Sequence, residues 1–319
     1  MSRYIISRLI QIIPVLILVS MIVFALTMLL PGDPTVTVLG EYSTPTQRNL
    51  VRVKLGLDQP VPIQYLHWIG RIVQGDFGRS LRTDEPVETM LLARLPVTIE
   101  LALLSTIIAV FVGIPLGIVA ALRRNGFVDS AVSLLVLTGL AIPNFWVGIL
   151  MIMLFSLFLG ILPPSGFIAF NVDPWNNLRF MVMPAFTLGF GLAALVMRQT
   201  RAIMLEVLTT DFIRTAHAKG LRNSRVLIYH ALRNTLIPLV TVVGLQFGTL
   251  LGGSVIIETI FGLPGLGKMI VDGIFGRDYP VIQGGVVAVA VAVLILNLII
   301  DIGYTIIDPR IDFKSMEQR

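Results

Sequence analysis

Uncharged apolar runs of nearly constant length dominate this chain. Residues 9–30, 101–122, 180–197, 234–257 and 279–300 each lack Asp, Glu, Lys and Arg. A helix crossing a hydrocarbon layer of about 30 Å needs about 20 apolar residues at 1.5 Å each, so each run predicts one membrane-spanning helix. A sixth uncharged run, residues 130–172, has room for one long helix and a loop. A turn at Pro143-Asn144 would leave residues 130–142 as an arm too short to cross. Pro163-Pro164 is the better terminator, because consecutive prolines remove backbone donors and bias the preceding residue away from helix. The pattern therefore predicts one kinked span, about residues 131–159, and then an exposed segment ending near Arg179. The expected fold is an all-α polytopic membrane protein with six transmembrane helices and both termini on one side.

Composition agrees with this reading and charge orients it. Hydrophobic residues make up 55% of the chain, charged residues 13%, and the mean hydropathy is +0.87. That charged share is about half of what a soluble domain carries, too little to wrap the chain in an ordinary water-facing surface. Arg3 and Arg8 precede the first run, Arg123 and Arg124 follow the second, and seven basic but only two acidic residues lie between Arg198 and Arg233. Short basic loops stay cytoplasmic, so these three segments and both termini are predicted on that side. Residues 31–96 carry seven basic and seven acidic side chains, the balance of a solvated, translocated loop. Arg3 and Arg8 before an apolar run imitate a signal peptide, but the run is too long and no small-x-small site follows, so an uncleaved anchor is expected. With no cysteine, a disulfide framework and a thiolate metal site are excluded.

Few segments offer enzymatic chemistry. Gly262-Leu-Pro-Gly-Leu-Gly267-Lys268-Met269 fits G-x-x-x-x-G-K, yet Met269 stands where a phosphate loop needs a magnesium-ligating hydroxyl, and no buried strand precedes it. A Gly/Pro-rich surface or re-entrant turn is the expected structure. His67, His217 and His230 all fall in predicted loops. Glu100, Glu258 and Asp301 fall at predicted span edges, where capping or snorkelling accounts for them. No catalytic residue or metal ligand is expected.

Within the spans, Gly244, Gly248 and Gly252 recur every fourth residue, the small-xxx-small spacing that lets helices approach closely. Asn144, Gln246 and Asn297 are candidates to line a wet path, though each could bond a neighbouring helix instead. Absence of ionisable groups from the predicted span interiors argues against an ion-coupled carrier or channel, which remains the alternative class.

The basic segment of residues 198–233 has its own local order. Thr209, Thr210 and Asp211 are helix N-cap types; Phe212, Thr215, Ala216 and Lys219 share a helical face; and Gly220 stands where a helix-terminating glycine belongs. Ser224 can cap a second helix running towards Asn234. Two short helices meeting at a glycine, with small Ala216 and Ala218, make a knob for a cleft in another protein. A basic amphipathic loop resting on anionic lipid, through Arg214, Arg222, Arg225 and Arg233, fits the same residues.

In the same segment, "RTAHAKGL" and "HALRN" resemble the cytoplasmic loop of inner-membrane permease subunits of ATP-binding-cassette importers. The general motif is E-A-A-x-x-x-G followed by I-x-L-P. Thr215 replaces its acid and Arg233 its proline, the form typical of the dipeptide, oligopeptide and nickel branch. "LPGDP", "LGLDQPVPIQYLHW", "GDFGRS" and "ETIFGLPGLGKMIVDGIFGRDYPVIQG" extend the resemblance over nearly the whole chain. It implies the type I importer permease fold, with a first helix at 1–30, an external loop region at 31–95, a five-span domain at 96–308 and a cytoplasmic tail at 309–319. It also implies a bacterial cytoplasmic-membrane subunit that moves di- or oligopeptides by alternating access, with nickel and glutathione as alternatives. Arg214, Thr215, Ala216, Ala218, Lys219, Gly220 and Leu221 would contact the ATPase, and Pro264, Gly265 and Gly267 would belong to an external gate. The implied partners are a second, paralogous permease, two ATPase subunits holding ATP and magnesium, an extracytoplasmic solute-binding protein, peptide substrate and membrane lipid. This chain itself would need no cofactor, and nucleic acid is not an expected partner.

Overall fold

The computed structural model describes residues 2–29, 33–40, 42–54 and 56–307; the tail predicted at 309–319 and the Leu30-Pro31-Gly32 part of "LPGDP" lie outside them. Among the described residues the regular structure is helical, apart from a lone antiparallel bridge that joins Arg79 to Pro86. Five helices are long and apolar enough to span, and a bent helix pair makes a sixth candidate. The chain divides into two compact units, Met1–Thr98 with Pro264–Ile295, and Ile99–Leu263 with the residues from Leu296 onward.

The first unit holds α1 (Ser2–Met28), the short helices α2 (Pro34–Leu39) and α3 (Pro45–Lys54), and α4 (Val61–Val73). The start of α5 (Val87–Leu122) belongs to it as well. Asp33 caps α2 by accepting the Thr35 N–H and is paired with Arg52 at 2.8 Å. α4 packs on α1 through Phe24, Tyr65 and Trp68, and the Tyr65 hydroxyl meets Ser20 Oγ at 2.9 Å. The apolar residues of α4 divide between two sides: Ile63, Leu66 and Val73 are exposed, while Tyr65, Trp68, Ile69 and Ile72 form the packed side.

The second unit is organised around α8 (Pro174–Leu208). In its most apolar stretch 67% of residues are buried, against 22–28% in the other four spans, which makes α8 the core helix. Asp173 starts it, accepting the Asn176 backbone N–H at 3.1 Å and side-chain amide at 2.6 Å. Those two bonds hold the Asp173 carboxyl below its ordinary pKa. Hydrocarbon offers no hydrophobic drive between helices, so α8 and α5 associate through close approach of small residues. Ser105, Ala109, Gly113, Gly117 and Ala121 form a buried row along α5. A Cβ added at Gly113 would stand 2.8 Å from Val196, and one at Gly117 2.6 Å from Thr200 and 2.7 Å from the Met197 carbonyl. From the α8 side, a Cβ on Gly189 would meet the Ser105 carbonyl at 2.8 Å.

Expectations about two of the spans change, while the predicted end near residue 159 holds. The predicted kinked span is broken: α6 (Phe127–Ala141) and α7 (Asn144–Met151, continuing as a π-helical segment Ile152–Phe158) meet at 99°. Pro143 has no N–H to continue the ladder, and Ile142 before it is extended, at φ −82° and ψ 126°. The second arm ends at Phe158, ahead of the two prolines, with Gly160 in the left-handed region at φ 63°. Finally, the span predicted at 234–257 is helical from Asn223 to Gly253, because α10 (Asn223–Arg225), a π-helical turn Val226–Leu232 and α11 (Arg233–Gly253) run on without interruption. Arg222, not Ser224, occupies the cap position.

The α5–α8 seam has a direct test. Gly117→Leu forces atoms against backbone and costs about 1–3 kcal/mol by overpacking, lowering the melting temperature of the purified protein. Gly252→Ala, where nothing lies within 4 Å of the added atom, leaves it within experimental error. The bent pair is tested by reporter fusions: one after Val172 is external and one after Arg124 cytoplasmic, whereas two cytoplasmic signals mean that the pair does not cross.

Candidate cytoplasmic coupling site

α9 (Asp211–Ala218) forms where the basic segment predicted a helix. Thr210 is its cap residue by backbone conformation, but its hydroxyl bonds back to the Val207 carbonyl, leaving Asp211 to complement the helix N-terminus by charge. At the other end, Gly220 has φ 72°; its N–H donates to the His217 carbonyl and the Leu221 N–H to the Ala216 carbonyl. This 5→2 and 6→1 pair is a Schellman motif. It reverses the chain within three residues and leads directly into α10.

One face of α9 is anchored and the other is presented. Ile213 and Ala216 are buried in a cluster with Ala121 of α5, Met204 of α8, and Val226 and Ala231 of the helix that follows; Leu221 packs against its edge. Thr235 Oγ1 at the start of α11 lies 3.2 Å from Met204 Sδ. Arg214, Thr215, Ala218, Lys219 and Gly220 are exposed. The predicted face of Phe212, Thr215, Ala216 and Lys219 is therefore split, because Ala216 turns inward. Of the seven residues suggested for partner contact, Ala216 and Leu221 serve the anchor and five lie on the outer surface.

Sequence reading missed the strongest polar contact near this site. The Asp129 carboxylate, buried at the start of α6, accepts two hydrogen bonds from the Arg201 guanidinium, at 2.6 and 2.8 Å, and one from the Asn125 backbone N–H at 3.0 Å. This bidentate pair fixes the first turn of α6 to the half of α8 that carries Met204. Arg201 looked like one more orienting charge. The available signal was Asp129 itself, the lone acid between Glu100 and Asp173.

Other expected positions are placed as follows. Glu258, in α12 (Val255–Ile260), is fully buried, with the Ser254 hydroxyl donating to Oε1 at 2.9 Å. Snorkelling does not describe it. Glu100 is half-buried well inside α5 rather than at its end. In the first unit Gly265 and Gly267 are buried around the start of α13 (Leu266–Gly276), Pro264 is half-buried, and the Leu266 N–H donates to Thr98 Oγ1 at 2.9 Å. Met269 is packed in a core with Val87, Leu91 and Val281, and Lys268 pairs with Asp272 at 2.6 Å. A phosphate loop needs backbone and lysine free to meet phosphate; this segment holds them in packing.

Asn144 is exposed beside Gly191, Gln246 accepts the Thr249 hydroxyl at 3.1 Å, and Asn297 is half-buried. Among the described residues no hydrogen bond joins the three. A cavity of about 430 Å³ in the second unit is lined by α5, α11 and the end of α14 (Tyr279–Ile307). Its one polar side chain, Thr106, is satisfied by the Ala102 carbonyl. Of the three spaced glycines, Gly244 packs on Ile300 (3.1 Å to an added Cβ), Gly248 is buried, and Gly252 faces open space.

Comparison with known proteins gives concordant matches. Residues 113–313 match the model of the binding-protein-dependent transport system inner membrane component, and residues 1–102 its N-terminal counterpart. The chain is 43% identical to the oligopeptide transport system permease protein AppB of Bacillus subtilis, over 98% of this chain and 100% of that one. It is 40% identical to the dipeptide transport system permease protein DppB of Escherichia coli, over 99% and 100%. In fold it is similar to an inward-facing form of the MetNI methionine ABC transporter, with TM-score 0.58 and 19% identity over 69% of this chain and 96% of that one.

The split of α9 into two faces predicts two classes of variant. Ala216→Trp overfills the cluster beneath the helix and costs about 1–3 kcal/mol, visible as a lowered melting temperature and reduced yield. Ala218→Trp, on the outer surface, leaves both unchanged. Equal melting temperatures for the two variants would show that Ala216 is not in the anchor.

Proposed function

On the premise that the chain belongs to the family of binding-protein-dependent transport system inner membrane components, we propose that it forms half of an ATP-driven import path for di- and oligopeptides. The reading that α9 is the coupling element rests on one observation. A helix presented on one face is seated on the other in a cluster shared by α5, α8, α10 with its π-helical extension, and, through Thr235, α11. Well-packed interiors are nearly incompressible, so a push on α9 is passed to the ends of those helices. The exposed Arg214, Thr215, Ala218, Lys219 and Gly220 are the surface for an ATPase subunit.

Energetics supply the rest of the proposal. Carrying a charged peptide terminus through hydrocarbon costs at least several kcal/mol, so a water-lined path open to one side at a time is required. The apolar cavity of the second unit has no group to pair with a peptide terminus, which favours its use for helix or lipid contact. A second, paralogous permease completes the path, two ATPase subunits carry ATP and magnesium, and an extracytoplasmic solute-binding protein delivers substrate. Asn144, Gln246 and Asn297 are proposed to face the path, and Pro264, Gly265 and Gly267 to belong to the element closing it from outside. The subunit is a multi-pass protein of the bacterial cytoplasmic membrane with both termini inside and no ATPase site of its own. Peptide is preferred as substrate because the permeases resembling this chain over their full length are named for dipeptide and oligopeptide transport.

Reconstitution of the complete complex in liposomes tests both halves of this reading. Labelled dipeptide enters only with ATP, both ATPase subunits and the solute-binding protein, while nickel stays at background. Ala218→Trp lowers ATP-driven uptake to background with normal assembly. Uptake in the absence of ATPase subunits would mean a carrier or channel instead.

A further inference from the structure

α4 has three stripes rather than two. At about 100° per residue, Tyr65, Trp68, Ile69 and Ile72 fall on the packed side, Gln64, His67 and Arg71 on a polar one, and Ile63, Leu66, Gly70 and Val73 on a third, apolar and open. Leu66 is 63% exposed and Val73 81%, and a Cβ added at Gly70 would meet nothing within 4 Å. Such a face on a loop above the membrane would be left against water.

The contacts of α4 place it lower than that. The Trp68 ring lies 5.6 Å from Phe24, four residues inside the outer end of α1, and the Tyr65 hydroxyl reaches Ser20, eight residues inside. At 1.5 Å per residue these levels are about 6 and 12 Å below Met28. The same cluster includes Val287 and Val291 of α14, eight and twelve residues inside its start at Tyr279. On that helix the levels are about 12 and 18 Å below Tyr279, so both spanning helices place the cluster inside the span rather than above it. α1 also exposes Met21, Ile22 and Leu26 at this level, so the open stripe of α4 continues an apolar surface that already faces hydrocarbon.

We infer that α4 is embedded in the outer leaflet, with Ile63, Leu66, Gly70 and Val73 against lipid acyl chains and Gln64, His67 and Arg71 at the headgroups. The shallowest of these levels, at Phe24, falls within the range of an interfacial amphipathic helix, whose apolar side sits about 5–10 Å into the acyl boundary. α4 then acts as an outrigger that fixes the height and tilt of α1, through the Tyr65–Ser20 hydrogen bond and the Phe24–Trp68 contact.

The chain has no cysteine, so single-cysteine variants report cleanly in membranes. Leu66→Cys and Val73→Cys are compared with His67→Cys and Arg71→Cys for labelling by a charged, impermeant maleimide. Each is also labelled with a permeant bimane and tested for quenching by nitroxide-bearing lipid. The expected result is several-fold slower maleimide labelling and several-fold stronger lipid quenching at Leu66 and Val73, with labelling restored in detergent. Equal labelling at all four positions overturns the proposal. So does labelling of Leu66 that is fast alone and blocked by added solute-binding protein, which would make the stripe a protein dock. Protection from both reagents in membranes and in detergent would mean a covering subunit, and overturns it too.

Discussion

Close approach of α5 to α8 is the constraint on which the second unit depends. In hydrocarbon an apolar side chain gains little by leaving lipid for a neighbouring helix, so helices are held by packing and by satisfied polar groups. The buried row Ser105, Ala109, Gly113, Gly117 and Ala121 removes side chains from one face of α5, and Gly189 does the same on α8. Ser105 and Thr187 near the seam bond within their own helices, to the Leu101 and Met183 carbonyls, whereas Thr200 Oγ1, opposite Gly117, is buried without a hydrogen-bond partner.

The same row leads to the seat of α9. Its last member, Ala121, belongs to the cluster that seats Ile213 and Ala216 of α9. Helix spacing thus determines where α9 sits: a larger residue at Gly117 would spread α5 from α8 and take Ala121 away from Met204. Asp129 and Arg201 fasten the first turn of α6 to α8 close by. Across the 99° turn at Pro143 both arms pack on α8: a Cβ added at Gly139 of α6 would stand 2.6 Å from Ala194, and one at Gly148 of α7 3.4 Å from Thr187.

In the first unit polar ties take over the role that small residues have in the second. Gln283 donates to Thr27 at 2.8 Å, joining α14 to α1, and Asp278 accepts from the Ser80 hydroxyl and the Leu81 N–H, joining the turn before α14 to residues 80–81. The "GDFGRS" and "GRDYP" stretches, distant in sequence, are partners in space for this reason. With α4 held beside α1, part of the long loop after the first span is helix bound to the spans.

Much of this architecture was legible in the chain. Uncharged runs located five single spans because hydrocarbon thickness dictates helix length, and the glycine at 220 marked the end of α9 because few other residues adopt its φ. The motifs around Gly220 and Arg233 pointed to the importer permeases, the family to which the chain belongs. Local sequence left open which residues meet across the fold. Gly113 and Gly117 lay in a run rich in other small residues, whereas Gly244, Gly248 and Gly252 had the more regular spacing and a looser fit. Ala216 and Ala218 are equivalent as residue types, and only the cluster under α9 separates anchor from surface. Pro143 announced a break but not its angle, which depends on what each arm packs against. Pairing of Asp129 with Arg201, burial of Glu258 and the depth of α4 were decided by tertiary structure alone, because each depends on a partner that local sequence cannot bring within reach.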